Sequence, residues 1–137
     1  MIILSAHGNK ITTPSGKKRR VLQALDDELN LSKEIGNKGC SLKKTVLVLD
    51  SCKIGEGLES FQKKANALAI VGFRRTVDWL DSLLFILALL QKLTINEFFS
   101  TTTDINQSAK KAIESMWKPP YDRLREDLKA EKVFYEK

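Results

Sequence analysis

The sequence has little cysteine, histidine, proline or glycine. Its 137 residues include 2 cysteines, 1 histidine, 3 prolines and 7 glycines. Two cysteines are too few for a disulfide framework, and together with a single histidine they lack the spacing of a metal site. The sequence also lacks a glycine-rich loop of the Walker or dinucleotide-binding type. These absences exclude the common nucleotide-binding α/β proteins, and we expect no cofactor.

Long apolar runs and the features of a signal peptide are also missing. The most apolar segment, residues 83–90, is far shorter than the roughly 20 residues that a membrane-spanning helix needs. The first ten residues, MIILSAHGNK, lack the basic flank, the longer apolar run and the small-residue cleavage site of a secretory leader. We therefore expect a cytoplasmic protein that does not associate with membranes.

The formal net charge is +6, and the run KKRR at residues 17–20 would be the obvious contact for nucleic acid. The other basic residues are scattered, and aromatic residues are not interleaved with them as a base-stacking surface requires. This pattern favours a solvated basic face, so nucleic acid is not the expected partner.

Three short buried strands alternate with helical segments. The strands are IILS near the N terminus, TVLVLDS at residues 45–51 and ALAIVGF at residues 67–73. Such alternation predicts a single domain over residues 1–137, with a mostly parallel sheet in a three-layer α/β/α arrangement. We expect strands at residues 2–6, 45–50 and 67–72, with the first two adjacent and helices on both faces.

The segments between these strands have weaker signals. Residues 10–20 are polar and predict a loop, whereas the spacing of Leu22, Leu25 and Leu29, with residues 31 and 35, predicts one or two short helices. Further helices are predicted at residues 58–65 and 77–93, and after Asp104 as an N-cap. The tail beyond residue 121 predicts a short helix and a final strand.

Two reactive side chains follow the first two predicted strands. His7 comes after IILSA and Cys52 after VLVLDS. In open α/β sheets, functional sites gather at the carboxyl ends of the strands, so these residues would face each other if their strands are neighbours. A thiolate is a nucleophile, and an adjacent imidazole can activate it and protonate a leaving amine. Gly8 and the glycines at 55 and 57 could bring backbone N–H groups to an oxyanion.

Each residue also has a structural interpretation. A single histidine is more often structural than catalytic, and a single strand-end cysteine is more often a small buried apolar residue than a nucleophile. The matching positions of His7 and Cys52, in that order, favour catalysis. Cys40 follows GNKG, has no histidine near it in sequence, and is expected to be inert.

The segments LSAHGN and VLVLDSCKIGEG resemble the two motifs of the caspase-like cysteine peptidases. The DSC form is similar to metacaspases, and the short spacing is similar to the CHAT peptidases. The similarity covers about residues 2–93, leaving residues 94–137 as a helical C-terminal extension. It implies a peptidase acting on proteins or peptides, with Cys52 as nucleophile, His7 as base and the Gly8 N–H in the oxyanion hole.

The resemblance also implies substrate-binding residues. Asp50 is similar to the metacaspase acid that selects arginine or lysine, although a strand-end acid could equally cap the following turn. Phe73 and Arg74 fall where the family has a substrate-lining loop, and Arg74 with Arg75 could instead attract an acidic side chain or remain a solvated pair. Lys53 replaces a histidine common in metacaspases, which affects the expected substrate preference more than catalysis.

The sequence departs from this family at its N terminus, where at least one strand and one helix would precede the His7 strand. Either the chain is a fragment or a natural minimal form, or another chain completes the sheet. Because an uncovered edge strand can pair with another strand, we expect a homodimer or a partner protein there. Two alternatives to an active peptidase remain open: a catalytically silent caspase-like regulatory or interaction module, and a flavodoxin-like binding domain in which His7 and Cys52 are coincidental.

Overall fold

The computed structural model describes residues 1–16, 18–24, 27–30, 42–55, 58–99 and 104–134 of the chain. Its strands and helices are, in order, β1 (Ile2–Ser5), β2 (His7–Thr12), β3 (Lys18–Ala24), β4 (Asp27–Asn30), β5 (Val46–Asp50), α1 (Leu58–Ala65), β6 (Ala69–Phe73), α2 (Trp79–Phe99), α3 (Ile105–Ser115), α4 (Asp122–Leu128) and β7 (Ala130–Phe134). They form a mixed α/β fold with a four-stranded sheet and a separate three-stranded sheet.

The four-stranded sheet has the spatial order β1–β5–β6–β7. Strands β1 and β6 both pair with β5 in parallel, whereas β7 pairs with β6 in the antiparallel direction. The predicted α/β class, the mostly parallel sheet and the adjacency of the first two strands are therefore confirmed. Beyond residue 104 the chain contributes α3, α4 and the strand β7, so the final strand predicted for the tail is present in addition to helices.

Strands β5 and β6 are the most deeply buried part of the sheet. Val48 and Leu49 of β5, and Ile70 and Val71 of β6, have 0% of their surface exposed. Continuous apolar runs of this kind are typical of parallel strands that are covered on both faces. The sequence signal for these two strands was strong because apolar residues follow one another directly and do not alternate with polar ones.

Helices pack against both faces of this sheet. Val48 and Val71 share one apolar cluster with Phe85 of α2 and Ile113 of α3. Leu49 belongs to a second cluster, together with residues of α1. Successive residues of a strand point to opposite faces, so α1 covers one face while α2 and α3 cover the other.

The three-stranded sheet corrects the prediction of a loop and helices in residues 10–24 and 27–30. Strand β3 pairs in the antiparallel direction with β2 and with β4. The turn between β2 and β3 contains Pro14 and Gly16, and Gly16 has a φ of 76° and donates its N–H to the Thr13 carbonyl at 2.8 Å. Threonine, proline and glycine in this order form a hairpin turn, which is a local signal for two paired strands. The helical spacing of the leucines that follow favoured a helix instead of the second strand. Leu25, Leu31 and Ile35 lie outside the described residues.

Helix α3 begins where the sequence predicted. The Asp104 carboxylate accepts a hydrogen bond from the Asn106 N–H at 2.9 Å, which satisfies a helix N-terminal donor. Helix α2 extends beyond its predicted end at residue 93, and residues 101–103, predicted as a turn, lie outside the described part of the chain. Among the helices that the structure describes, none is both long and apolar enough to cross a membrane.

Candidate functional site

The candidate site lies where β1 and β5 end side by side. The last residues paired between these parallel strands are Ser5 and Asp50. His7 and Cys52 each follow two residues later on their own chain. The sheet therefore brings the histidine and cysteine segments to the same edge, as the sequence predicted from the strand ends.

Hydrogen bonds continue the contact between the two chain segments beyond the strands. The Ala6 N–H donates to the Asp50 carbonyl at 3.3 Å. In the opposite direction, the Ser51 hydroxyl donates to the Ala6 carbonyl. Ser51 is only 2% exposed, so its hydroxyl needs this acceptor. These bonds hold the residue before His7 against the residue before Cys52.

Gly8 allows the backbone after His7 to lie directly on the backbone of Cys52. A Cβ atom at Gly8 would overlap the Cys52 carbonyl oxygen and would lie 2.7 Å from the Ser51 Oγ. It would also lie 3.0 Å from the Cys52 nitrogen. Only glycine fits this close approach, so the need for Gly8 is steric.

The Cys52 side chain is partly exposed and forms no disulfide. Its sulfur accepts a hydrogen bond at 3.4 Å from the N–H of Val77, which lies in the loop that precedes α2. This bond orients the Cys52 side chain toward that loop. Cys40, the predicted inert thiol, lies outside the described residues.

His7 is exposed at the start of β2, where it pairs with Gln23 of β3. The chain thus changes from the parallel sheet to the antiparallel sheet within two residues of Ser5. This change of sheet leaves His7 exposed at the surface.

The loop after Cys52 is fixed against the loop after β6. Lys53 has a φ of 60° and donates its N–H to the Arg75 carbonyl at 3.0 Å. The Gly55 N–H donates to the Phe73 carbonyl at 2.8 Å. Because its N–H has this partner, Gly55 does not supply the oxyanion donor that the sequence suggested. Gly57, the other glycine considered for that role, lies outside the described residues.

The predicted substrate-binding residues lie in three different environments. Asp50 is half-buried at the strand end and accepts a hydrogen bond from the Ser5 hydroxyl at 3.0 Å. Phe73 is 0% exposed and packs edge-to-face on Phe85, with ring centroids 5.7 Å apart, so its side chain lines no surface. The Arg74 guanidinium forms an ion pair with Glu131 of β7 at 3.2 Å, which directs it toward the β7 strand.

Sequence reasoning missed three contributors to this site: Ser5, Ser51 and the Val77 backbone. Ser5 and Ser51 could have been found, because each lies within two residues of a candidate catalytic residue and precedes it at a strand end. The Val77 N–H could not, because its contact with Cys52 spans 25 residues.

Among the described residues, no group of three or more histidine, cysteine, aspartate or glutamate side chains could hold a metal ion. No protein-family model matches the chain, and no curated protein matches it.

Proposed function

We propose that the protein is a cysteine endopeptidase with a caspase-like fold, in which Cys52 is the nucleophile and His7 the general base. One observation carries the proposal: the Gly8 backbone, directly after His7, lies against Ser51 and Cys52 at the shared end of two parallel strands. This arrangement places the chain segments that carry His7 and Cys52 side by side, although 45 residues separate Ala6 from Ser51 in the sequence. The expected substrates are proteins or peptides.

In the proposed reaction, His7 accepts the thiol proton and the Cys52 sulfur attacks the carbonyl carbon of the scissile peptide. The resulting oxyanion is stabilised by the Gly8 N–H. The imidazolium then gives its proton to the leaving amine, and the carbon–nitrogen bond breaks to leave a thioester. Water, deprotonated by His7, hydrolyses the thioester and restores the free thiol.

The fold supports this proposal without deciding the chemistry. Helices on both faces of a mostly parallel sheet agree with the three-layer α/β/α arrangement that the sequence predicted. The site lies at the carboxyl ends of β1 and β5, where α/β proteins place their functional groups. The Val77 N–H donates to the Cys52 sulfur, which fixes the position of the proposed nucleophile.

Asp50 is the proposed determinant of cleavage after arginine or lysine. Its carboxylate is held by the Ser5 hydroxyl at the end of a rigid strand, two residues before Cys52. A carboxylate held in this way can form charge-assisted hydrogen bonds with a substrate cation. Arg74 does not oppose this preference locally, because its guanidinium is paired with Glu131.

The second candidate function is a catalytically silent caspase-like interaction module. It is favoured by the apolar surface at the start of the sheet, where Ile2 and Ile3 of β1 are each 41% exposed. It is also favoured by the engagement of the Gly55 N–H, which leaves fewer donors for an oxyanion. The two candidates differ in the reactivity of Cys52.

Labelling with limiting iodoacetamide, followed by peptide mass spectrometry, tests the proposal. Cys52 should react at least about tenfold faster than Cys40, because thiolate content controls alkylation. His7→Ala should slow the labelling of Cys52 to near the rate of Cys40, and Cys40→Ala is the matched control that should leave the labelling rate of Cys52 unchanged. An acyloxymethyl ketone probe that carries lysine next to its reactive group should label the wild-type protein but not Cys52→Ala. Equal labelling of the two cysteines, unaffected by His7→Ala, would overturn catalysis and favour the silent module.

A further inference from the structure

A second surface, remote from the cysteine, lies along the outer edge of β7. It contains a cavity of about 430 Å³ that is lined by Glu59 and Lys63 of α1, Lys110 of α3, and Lys132 and Phe134 of β7. A smaller cavity of about 130 Å³ shares Lys110 and Phe134 and extends the first toward Leu68. Together they form what we call the β7 groove.

The β7 groove wraps around the edge of the sheet. Phe134 packs in the apolar cluster on the α2 and α3 face, whereas Val133 packs in the cluster on the α1 face. A cavity lined by both residues must therefore pass along the strand's backbone edge. Among the described strands, β7 pairs only with β6, so its outer N–H and C=O groups face this groove. Such an edge is a template for an added strand.

The groove has an excess of positive charge. Lys63, Lys110 and Lys132 line it, and Glu59 is the only acid among the described residues that line the larger cavity. The Lys132 Nζ lies 4.3 Å from the centroid of the Trp117 ring, and the Lys110 Nζ lies 5.5 Å from that of Phe134. These aromatic contacts hold two ammonium groups beside the strand edge.

The surroundings of Lys132 favour an anion. Burial lowers the pKa of Lys132 below its ordinary value, and the positive charges of Lys110, Arg125 and Lys118 act in the same direction against Glu114. A negative group in the groove would offset both effects.

A second copy of the chain fits this edge poorly. In an antiparallel pairing of two β7 strands about their central residue, each Lys132 would lie opposite the other. Like charges directly opposite each other across two strands are destabilising. The occupant should instead carry negative charge.

We propose that the β7 groove binds an extended acidic peptide segment of a partner protein, which adds to the sheet as a further strand. Main-chain hydrogen bonds to β7 would supply affinity, and alternate side chains would supply specificity. Acidic side chains on one face of the added strand would meet Lys110 and Lys132. Apolar side chains on the other face of the added strand would lie beside Val133, which packs on the α1 face.

The test uses the full chain and an acetylated, amidated hexapeptide that alternates glutamate with valine. Isothermal titration calorimetry should detect binding, and replacing every glutamate by glutamine should weaken it at least about tenfold. A peptide with proline at a central valine position should lose binding to a similar extent, because it lacks an N–H needed for strand addition.

Lys110→Glu should weaken binding of the glutamate peptide at least about tenfold, the difference expected from reversing one close charge. Lys111→Glu is the matched control: it adds the same charge at the neighbouring, exposed position of α3, outside the groove lining, and should change binding less than about twofold. Lys132→Gln provides a second test if Lys110→Glu fails to fold.

Three outcomes would overturn the proposal. The glutamate peptide could fail to bind, or the proline peptide could bind equally while inorganic phosphate competes, which would indicate an anion site only. Wild type could instead form a dimer that Lys132→Gln strengthens and the peptide does not dissociate, which would assign the edge to a second copy. The labelling of Cys52 by iodoacetamide is independent of all three results, so peptidase activity and peptide docking can fail separately.

Discussion

Individual backbone contacts determine the geometry around Cys52. Gly8 touches the Cys52 carbonyl, Ser51 donates to Ala6, and Val77 donates to the cysteine sulfur. None of these contacts depends on a large side chain. The site is therefore sensitive to substitutions that add a single carbon atom.

Gly8→Ala tests the close approach. The added Cβ would overlap the Cys52 carbonyl, so the backbones must separate, at a cost of about 1–3 kcal/mol. Urea denaturation should show this loss, and iodoacetamide should lose its preference for Cys52. Gly16→Ala is the control: Gly16 has a φ of 76° with nothing within 4 Å, so it should cost about 1 kcal/mol and leave the labelling preference intact. Wild-type stability in Gly8→Ala would contradict the described packing.

Asp50 tests the predicted substrate preference. A library of peptides that vary at the residue before the cleaved bond should show cleavage after arginine or lysine in wild type. Asp50→Ala and Asp50→Asn should both lose this preference at least about tenfold, because a neutral group cannot pair with the substrate cation. Ser5→Ala removes the hydrogen-bond donor that holds Asp50 while keeping the carboxylate, and should retain the preference in weakened form. Cleavage after aspartate, or an unchanged Asp50→Asn profile, would refute the assignment.

At the scale of elements, local sequence signals predicted α1, β5, β6 and the start of α3 well. Apolar runs identified the two central strands, and Asp104 identified the N-cap. The region of β2, β3 and β4 was mispredicted because residues 10–20 are polar like a loop and the leucines that follow have helical spacing. Pairing between strands, which the sequence does not display, overrode that weak periodicity.

Asp104→Ala should destabilise the protein by about 1 kcal/mol, because the Asn106 N–H would lose its acceptor. Asp104→Asn keeps an oxygen acceptor at the same place and should remain close to wild type. Thermal denaturation of the two variants in parallel measures the difference. Equal stability of the alanine and asparagine variants would show that the cap contributes nothing.

At the scale of the whole molecule, α2 carries the exposed large apolar residues of the described helices. Its inner side carries Phe85 and Leu89, both 0% exposed. Its outer side carries a stripe of large apolar residues between 41% and 73% exposed: Trp79, Leu80, Leu83, Leu84, Leu87, Leu90 and Ile95. Contiguous apolar surface of this kind marks an interaction site. Ile3 of β1 pairs with Val48 and so lies on the same face of the sheet as α2.

We expect a second copy of the chain to cover the α2 stripe. Leu87 lies near the middle of the stripe, with leucines on either side, so an antiparallel copy of α2 would match it residue by residue. Light scattering after size-exclusion chromatography should show a dimer. Leu87→Lys should raise the dissociation constant of this dimer at least about tenfold. Gln107→Lys adds the same charge at an exposed position of α3 and should leave the dimer intact. A monomeric wild type at high concentration would contradict this prediction.

The sequence alone determined the α/β class, the two buried strands and the positions of His7 and Cys52 at strand ends, because apolar runs and strand ends are local features. Only the tertiary structure decided that β7 joins the sheet in the antiparallel direction and that Phe73 is fully buried. It also decided that the Gly55 N–H is bonded to Phe73 while Gly8 lies against Cys52. These features depend on which distant segments meet. Each of these contacts joins two segments that are distant in the sequence, so its free energy depends on both segments and the local sequence of either one does not reveal the contact.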